Sequence, residues 1–223
     1  MSHEGCGYDP PERCPDCSVS PAIYQCKGCF GRELVCKDCI VKRHKLLPFH
    51  RIQVKCISLN VELESTDNNF SDCQQWNGSF FESVSLKSVG LVIQLNHRGQ
   101  RTCSNPEANT GGAFTIIDLD AIHSISLNFC ACGYGSQSRY IQLLRAGLFP
   151  VTSEHPRAAI TFRTLELFEL LSYESEVSAY EYHRTLLRLT DNTGMKTPSV
   201  RYINYVNMLT FPLLLSLGSL CLI

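Results

Sequence analysis

Residues 14–50 read CPDCSVSPAIYQCKGCFGRELVCKDCIVKRHKLLPFH, and this stretch decides what kind of fold the chain builds. It holds three C-x2-C pairs, Cys14/Cys17, Cys26/Cys29 and Cys36/Cys39, followed by His44 and His50. A C-x2-C pair turns two thiolates toward one ion on a tight turn. Zn2+ in a structural role takes four soft or borderline ligands and leaves no coordination position open. Eight such side chains therefore make two closed tetrahedral sites, and their density is far beyond what composition alone supplies. Spacing leaves open which ligands share an ion, because the pairs can be used in sequence or in a cross-brace.

Outward from this stretch, the start of the chain sets the chemistry of sulfur. Met1 to Pro11 is polar, with no basic n-region and no apolar h-region. No signal peptide is expected, and thirteen cysteines in a reducing compartment point to metal ligation rather than disulfides. With 44% hydrophobic and 18% charged residues, the 223-residue chain is too apolar to be wholly disordered and too polar for a multispan membrane protein. Its formal net charge of -1 excludes a uniformly basic nucleic-acid coat. Residues 1–55 carry nine Lys/Arg against six Asp/Glu. Six thiolates and two Zn2+ bring that segment close to neutral, which does not support a strongly cationic DNA grip. Lys42, Arg43, Lys45 and Arg51 form a small basic run that reads either as a nucleic-acid edge or as a solvated face.

Residues 1–12 are expected to be a disordered terminus, and residues 56–75, rich in Asp, Glu, Asn and Ser, a linker or inserted loop with Cys56 and Cys73 as free thiols. From residue 76 the pattern turns strand-like, at Leu91–Leu95, Phe114–Asp118 and Ile125–Phe129. If these strands form an antiparallel meander, the first and third end on the same side of the sheet. His97-x5-Cys103 and Cys130-x-Cys132 then converge as a third zinc site, with His123 in place of His97 as the variant. Two amphipathic helices follow, Thr161–Leu171 and Ser178–Leu189, the second stopped at Asn192-Thr-Gly194. The apolar stretch 207–223, broken by Pro212 and Gly218, is short of the roughly 20 residues a bilayer span needs, so a membrane partner is not expected.

Two resemblances attach to these residues. The order of the first eight ligands resembles a B-box zinc finger, which is cross-braced. Carried over pair by pair, it implies Cys14, Cys17, Cys36 and Cys39 on one zinc, and Cys26, Cys29, His44 and His50 on the other. Arg13-Cys-Pro-Asp-Cys17, Tyr24 to Gly31, Cys36 to His50, Trp76-Asn-Gly-Ser-Phe-Phe81, Phe129-Cys-Ala-Cys132, Ile141-Gln-Leu-Leu-Arg-Ala-Gly147 and Leu189-Thr-Asp-Asn-Thr-Gly194 together resemble the second-class CxC cysteine cluster associated with KDZ transposases. That family is abundant in mushroom-forming fungi. The resemblance covers residues 13–55 and 76–206 and implies a nuclear, zinc-binding region ahead of an RNase H-like transposase core. Residues 55–75 look inserted against the family's pattern, and the charged helical sequence and catalytic core that would follow Met208 are replaced by the apolar tail. The expected fold is α+β: a cross-braced zinc module (13–55), then a short antiparallel sheet with the second cysteine cluster and a helical pair (76–206).

No P-loop, G-x-S-x-G elbow or H-E-x-x-H motif occurs, and the well-placed Cys and His residues are used as closed structural ligands. The expectation is a non-enzymatic accessory module of a transposable-element protein, truncated before the catalytic core. It would bind element DNA or help assemble the transposase complex. The alternative is a B-box-like protein-interaction module that touches no nucleic acid. No small-molecule substrate is expected in either case.

Overall fold

The computed structural model describes residues 11–57, 79–97, 103–109, 112–132, 137–152 and 154–191. The expected disordered terminus (all but its last two residues), most of the 56–75 linker with Cys73, the Gly194 helix stop and the apolar tail lie outside the described residues. The chain divides into two compact units, Met1–Leu91 and Val92–Ile223.

In the first unit, strands β1 (Tyr24–Cys26), β2 (Ile52–Ile57) and β3 (Ser79–Val84) form an antiparallel sheet in that order. Six residue pairs from Ile52↔Val84 to Ile57↔Ser79 join β2 to β3. The unit therefore extends through β3 to Leu91, and the division of the chain lies beyond residue 76. Helix α1 (Lys37–Arg43) has 7 residues, too short to be stable alone in water, so its ends must be held by something other than propensity. Ile40 of α1 packs with Val35, Ile52, Leu86, Val89 and Leu91, and three ligand cysteines, Cys14, Cys26 and Cys36, complete this core.

In the second unit, a six-stranded sheet runs in the order β4 (Val92–Gln94), β7 (Ile122–Cys130), β6 (Phe114–Ile117), β9 (Ala158–Thr161), β8 (Leu148–Pro150). Strand β5 (Pro106–Ala108) also pairs with β7. The α+β class is as expected, but the sheet is mixed: β4 runs parallel to β7 and β6 parallel to β9. No meander forms, because β6 folds back on β7 as a hairpin and β4 lies on β7's other edge. Asn128 pairs with both Gln94 and Ala108, so β5 shares the β6 edge, farther along the nine-residue β7. The central strand β6 is buried at all four positions, as a strand covered on both faces requires.

Helix α2 (Arg139–Arg145) connects β7 to β8, and α3 (Phe162–Ser175) follows β9 directly. Asp118, fully buried at the end of β6, accepts hydrogen bonds from the Thr161 hydroxyl (2.6 Å) and the Arg163 guanidinium (Nε, 2.7 Å), and so holds the first turn of α3. Helix α4 (Ala179–Thr190) starts at a capping box made by Ser178 and Glu181. Leu165 and Phe168 of α3 and Tyr182 and Leu186 of α4 pack with Ile117, Ile122, Phe149 and Ile160 of the sheet. This core contains no cysteine. No helix among the described residues is long and apolar enough to cross a membrane.

Candidate metal centres

Three sets of four Cys and His side chains each bring their ligand atoms within 4.8 Å of one another. The first comprises Cys14, Cys17, Cys36 and Cys39. Cys14 and Cys17 lie on the turn closed by Ser18 N–H to Cys14 C=O (2.8 Å), and Cys36 caps α1 with Cys39 one turn on. The Cys17 and Cys36 sulfur atoms are 3.7 Å apart. Four thiolates at about 2.3 Å from a tetrahedral zinc stand about 3.8 Å from each other. The distance is far too long for a disulfide bond, and all nine cysteines with described side chains are free thiols.

The second set comprises Cys26 and Cys29 from the end of β1, His44 at the C-terminal end of α1, and His50 just before β2. Cys29 Sγ is 3.4 Å from His44 Nε2 and 3.4 Å from His50 Nδ1, and Cys26 Sγ is 3.5 Å from His50 Nδ1. These are the sulfur–nitrogen edges of a tetrahedron with zinc-like bond lengths. His44 is buried, and its Nδ1 lies 2.7 Å from the Ile40 carbonyl. Donation of Nδ1–H to that oxygen leaves Nε2 as the lone-pair nitrogen turned to the thiolates. Gly28 leaves room for the ring, since a Cβ there would sit 3.3 Å from His50. Helix α1 thus delivers Cys39 to one set and His44 to the other. The first and third C-x2-C pairs meet at one point, and the second pair meets the histidines at another.

The third set comprises His97, just beyond β4, Cys103, and Cys130 and Cys132 at the end of β7. His97 Nε2 lies 3.1 Å from Cys130 Sγ and 3.8 Å from Cys132 Sγ, and Cys103 and Cys132 are 3.4 Å apart. Because β4 and β7 are parallel neighbours, both strands deliver their ends to the same side of the sheet. His123 lies elsewhere, grouped with Asp118 and Asp120, and 3.4 Å from Asp120. Asp118 is already engaged by Arg163 and Thr161.

Sequence reading passes over the side chain that fixes Cys130. Gln142 of α2, 1% exposed, accepts from the Cys130 N–H (2.8 Å) and donates to the Cys130 carbonyl (2.9 Å) and the Gln137 carbonyl (2.9 Å). It takes the place of a neighbouring strand at the end of β7. The only sequence signal is a polar residue inside the apolar run 140–150.

The thiols perturb one another strongly. At the first set, burial pushes Cys14 up, but donation from the backbone of Cys36, Cys17 and Asp16 outweighs it and brings the thiol down to about 6. Cys39 is raised, chiefly by its hydrogen bond with Cys36, and Cys36 is raised by burial. Burial raises Cys26 to about 11 and Cys103 to about 11, whereas hydrogen bonding from Ser104 and from Cys103 lowers Cys132 to about 6. Clustered thiols cannot all ionise without a cation among them, so each set holds protons that a bound divalent ion would displace. Burial lowers His44, which keeps its imidazole neutral and able to ligate.

The basic run is divided. Arg43 donates to Asp16 (Nε, 2.7 Å) and to Glu33 (3.2 Å), which withdraws it from any open cationic edge. Lys42 and Lys45 are exposed, and Arg51 is half-buried, its carbonyl accepting from the Lys27 N–H (2.8 Å).

Residues 86–194 match the family model of the CxC2 like cysteine cluster associated with KDZ transposases. The third ligand set and helices α2 to α4 lie inside that match, and the first two sets precede it. No curated protein and no solved structure matches the chain. The matched region is similar to that transposase-associated cysteine cluster, and its Cys and His groups suit zinc.

Proposed function

We propose that this chain is a non-catalytic accessory region of a KDZ-type transposable-element protein, held together by three structural Zn2+ ions and contributing to DNA binding in the nucleus. The observation that carries the reading is the third four-ligand set, which lies within the transposase-associated cluster. The chemistry of the donors supports zinc, since nine thiols and three imidazoles gathered into three quartets leave no coordination site open for a substrate. With its ligands closed, each ion would fix backbone geometry and polarise no reactant.

Metal analysis of protein purified without chelator should return three zinc ions per chain, with element DNA bound in a strongly salt-dependent manner as counterions are released. A value near two would remove the His97/Cys103/Cys130/Cys132 centre, and binding indifferent to salt would remove the DNA reading. A second reading, a protein-docking module without nucleic-acid contact, is favoured by the exposure of Val19 (77%) and Leu46 (85%) on the first unit. Pull-down of a transposase chain together with salt-independent association would decide for it.

A further inference from the structure

The loop between Cys26 and Glu33 has a conformation that the metal centre alone does not require. Gly31 (φ +86°) and Arg32 (φ +47°) are consecutive left-handed residues, and Arg32 adopts this backbone at a cost that glycine would not bear. The turn throws Phe30 entirely into solvent, at 108% of its reference exposure, beside a centre whose own ligands are largely covered. Residues 26–32 carry Lys27 and Arg32 and no acidic side chain. Glu33, next in the chain, is turned to Arg43. Pairing of β1 with β2 sets Lys27 beside Arg51, through the hydrogen bond from the Lys27 N–H to the Arg51 carbonyl, and Lys27 lies within the repulsive field of both Arg51 and Arg32.

Resting on the nucleic-acid reading above, we infer that this loop is a contact surface for single-stranded nucleic acid, with Phe30 stacking on an unpaired base and Lys27, Arg32 and Arg51 facing the flanking phosphates. An exposed aromatic side chain on a loop that also exposes Lys27 and Arg32 matches the alternation of base and phosphate along a single strand. A duplex hides its base faces by stacking, and an acidic peptide would engage the cations but leave Phe30 without a partner. Because Phe30 touches solvent rather than core, its truncation leaves folding intact. Arg32→Gly suits the left-handed backbone and removes one cation.

The test is fluorescence anisotropy of the zinc-loaded full chain with labelled oligo(dT), duplex DNA and polyglutamate across a salt series, with zinc content checked for each variant. The expected result is that Phe30→Ala weakens oligo(dT) binding about tenfold at an unchanged salt slope. Arg32→Gly should lower the slope by about 0.7. If both variants bind oligo(dT) as the parent does while duplex binding persists, this surface is wrong and the DNA reading stands. If the parent binds neither nucleic acid, both fall. Tighter binding of polyglutamate than of oligo(dT) overturns the inference in favour of an acidic partner.

Discussion

Gln142 shows how one side chain outside a metal centre can decide whether the centre forms. Its amide closes both backbone groups of Cys130 at the end of β7. Gln142→Leu conserves volume but leaves a buried N–H and C=O without partners. We expect zinc affinity at the third centre to fall about 10- to 100-fold, the usual effect of losing an outer-shell support, with the first two centres unchanged in competition with a chromophoric chelator. His183 makes a second residue-scale prediction. Burial lowers its pKa below the usual 6.5, so below that pH the unfolded chain takes up a proton that the folded chain resists. The stability is fully present above pH 6.5 and falls as the pH drops below it. Hydrogen exchange of α4 amides should accelerate through this range, and His183→Gln should flatten the change.

At the scale of elements, α1 and α4 are stabilised in opposite ways. The seven residues of α1 are flanked by the candidate ligands Cys36 and Cys39 at one end and His44 at the other, so its helicity is expected to depend on bound metal. Helix α4 is held by its own sequence, through the reciprocal Ser178–Glu181 bonds and the packing of Tyr182 and Leu186. Ser178→Ala should cost about 1 kcal/mol in denaturant unfolding, the usual loss of an N-cap, without changing zinc content. The stripes of α3 and α4 were legible in the sequence because packing on one face imposes a 3.6-residue period. Strands β5, β8 and β9 were not, since Pro106–Ala108 holds no apolar run, Leu148–Pro150 lies inside the longer apolar run 140–150, and Ala158–Thr161 leads directly into α3. Asp118 was equally hidden, because its role depends on β9 bringing Thr161 to the end of β6.

Across the whole molecule, candidate ligand cysteines contribute to the two cores to different degrees. Cysteine ligands supply three of the nine buried members of the first core and none of the second. Chelation should therefore free the amides of β1, β2 and α1 to rapid hydrogen exchange while those of β6, β9, α3 and α4 stay protected. Equal loss of protection in both would show that the second core cannot stand without the third centre. The apolar contacts of Ile117, Ile160, Leu165, Phe168 and Leu186 argue that it can.

What the chain's order of residues determined by itself was local chemistry: thiol and imidazole ligands at turn spacing, two helical stripes and three strand-like runs. Pairing of the ligands was open to spacing and reachable only through resemblance, because cross-bracing is a matter of which distant turns meet. Tertiary structure decided that α1 links two centres, that β4 lies beside β7 rather than β6, and that Phe30 faces solvent while Arg43 is tied to Asp16 and Glu33. Side-chain chemistry and short periods act over a few residues, whereas register, burial and charge pairing are set by partners far away in sequence.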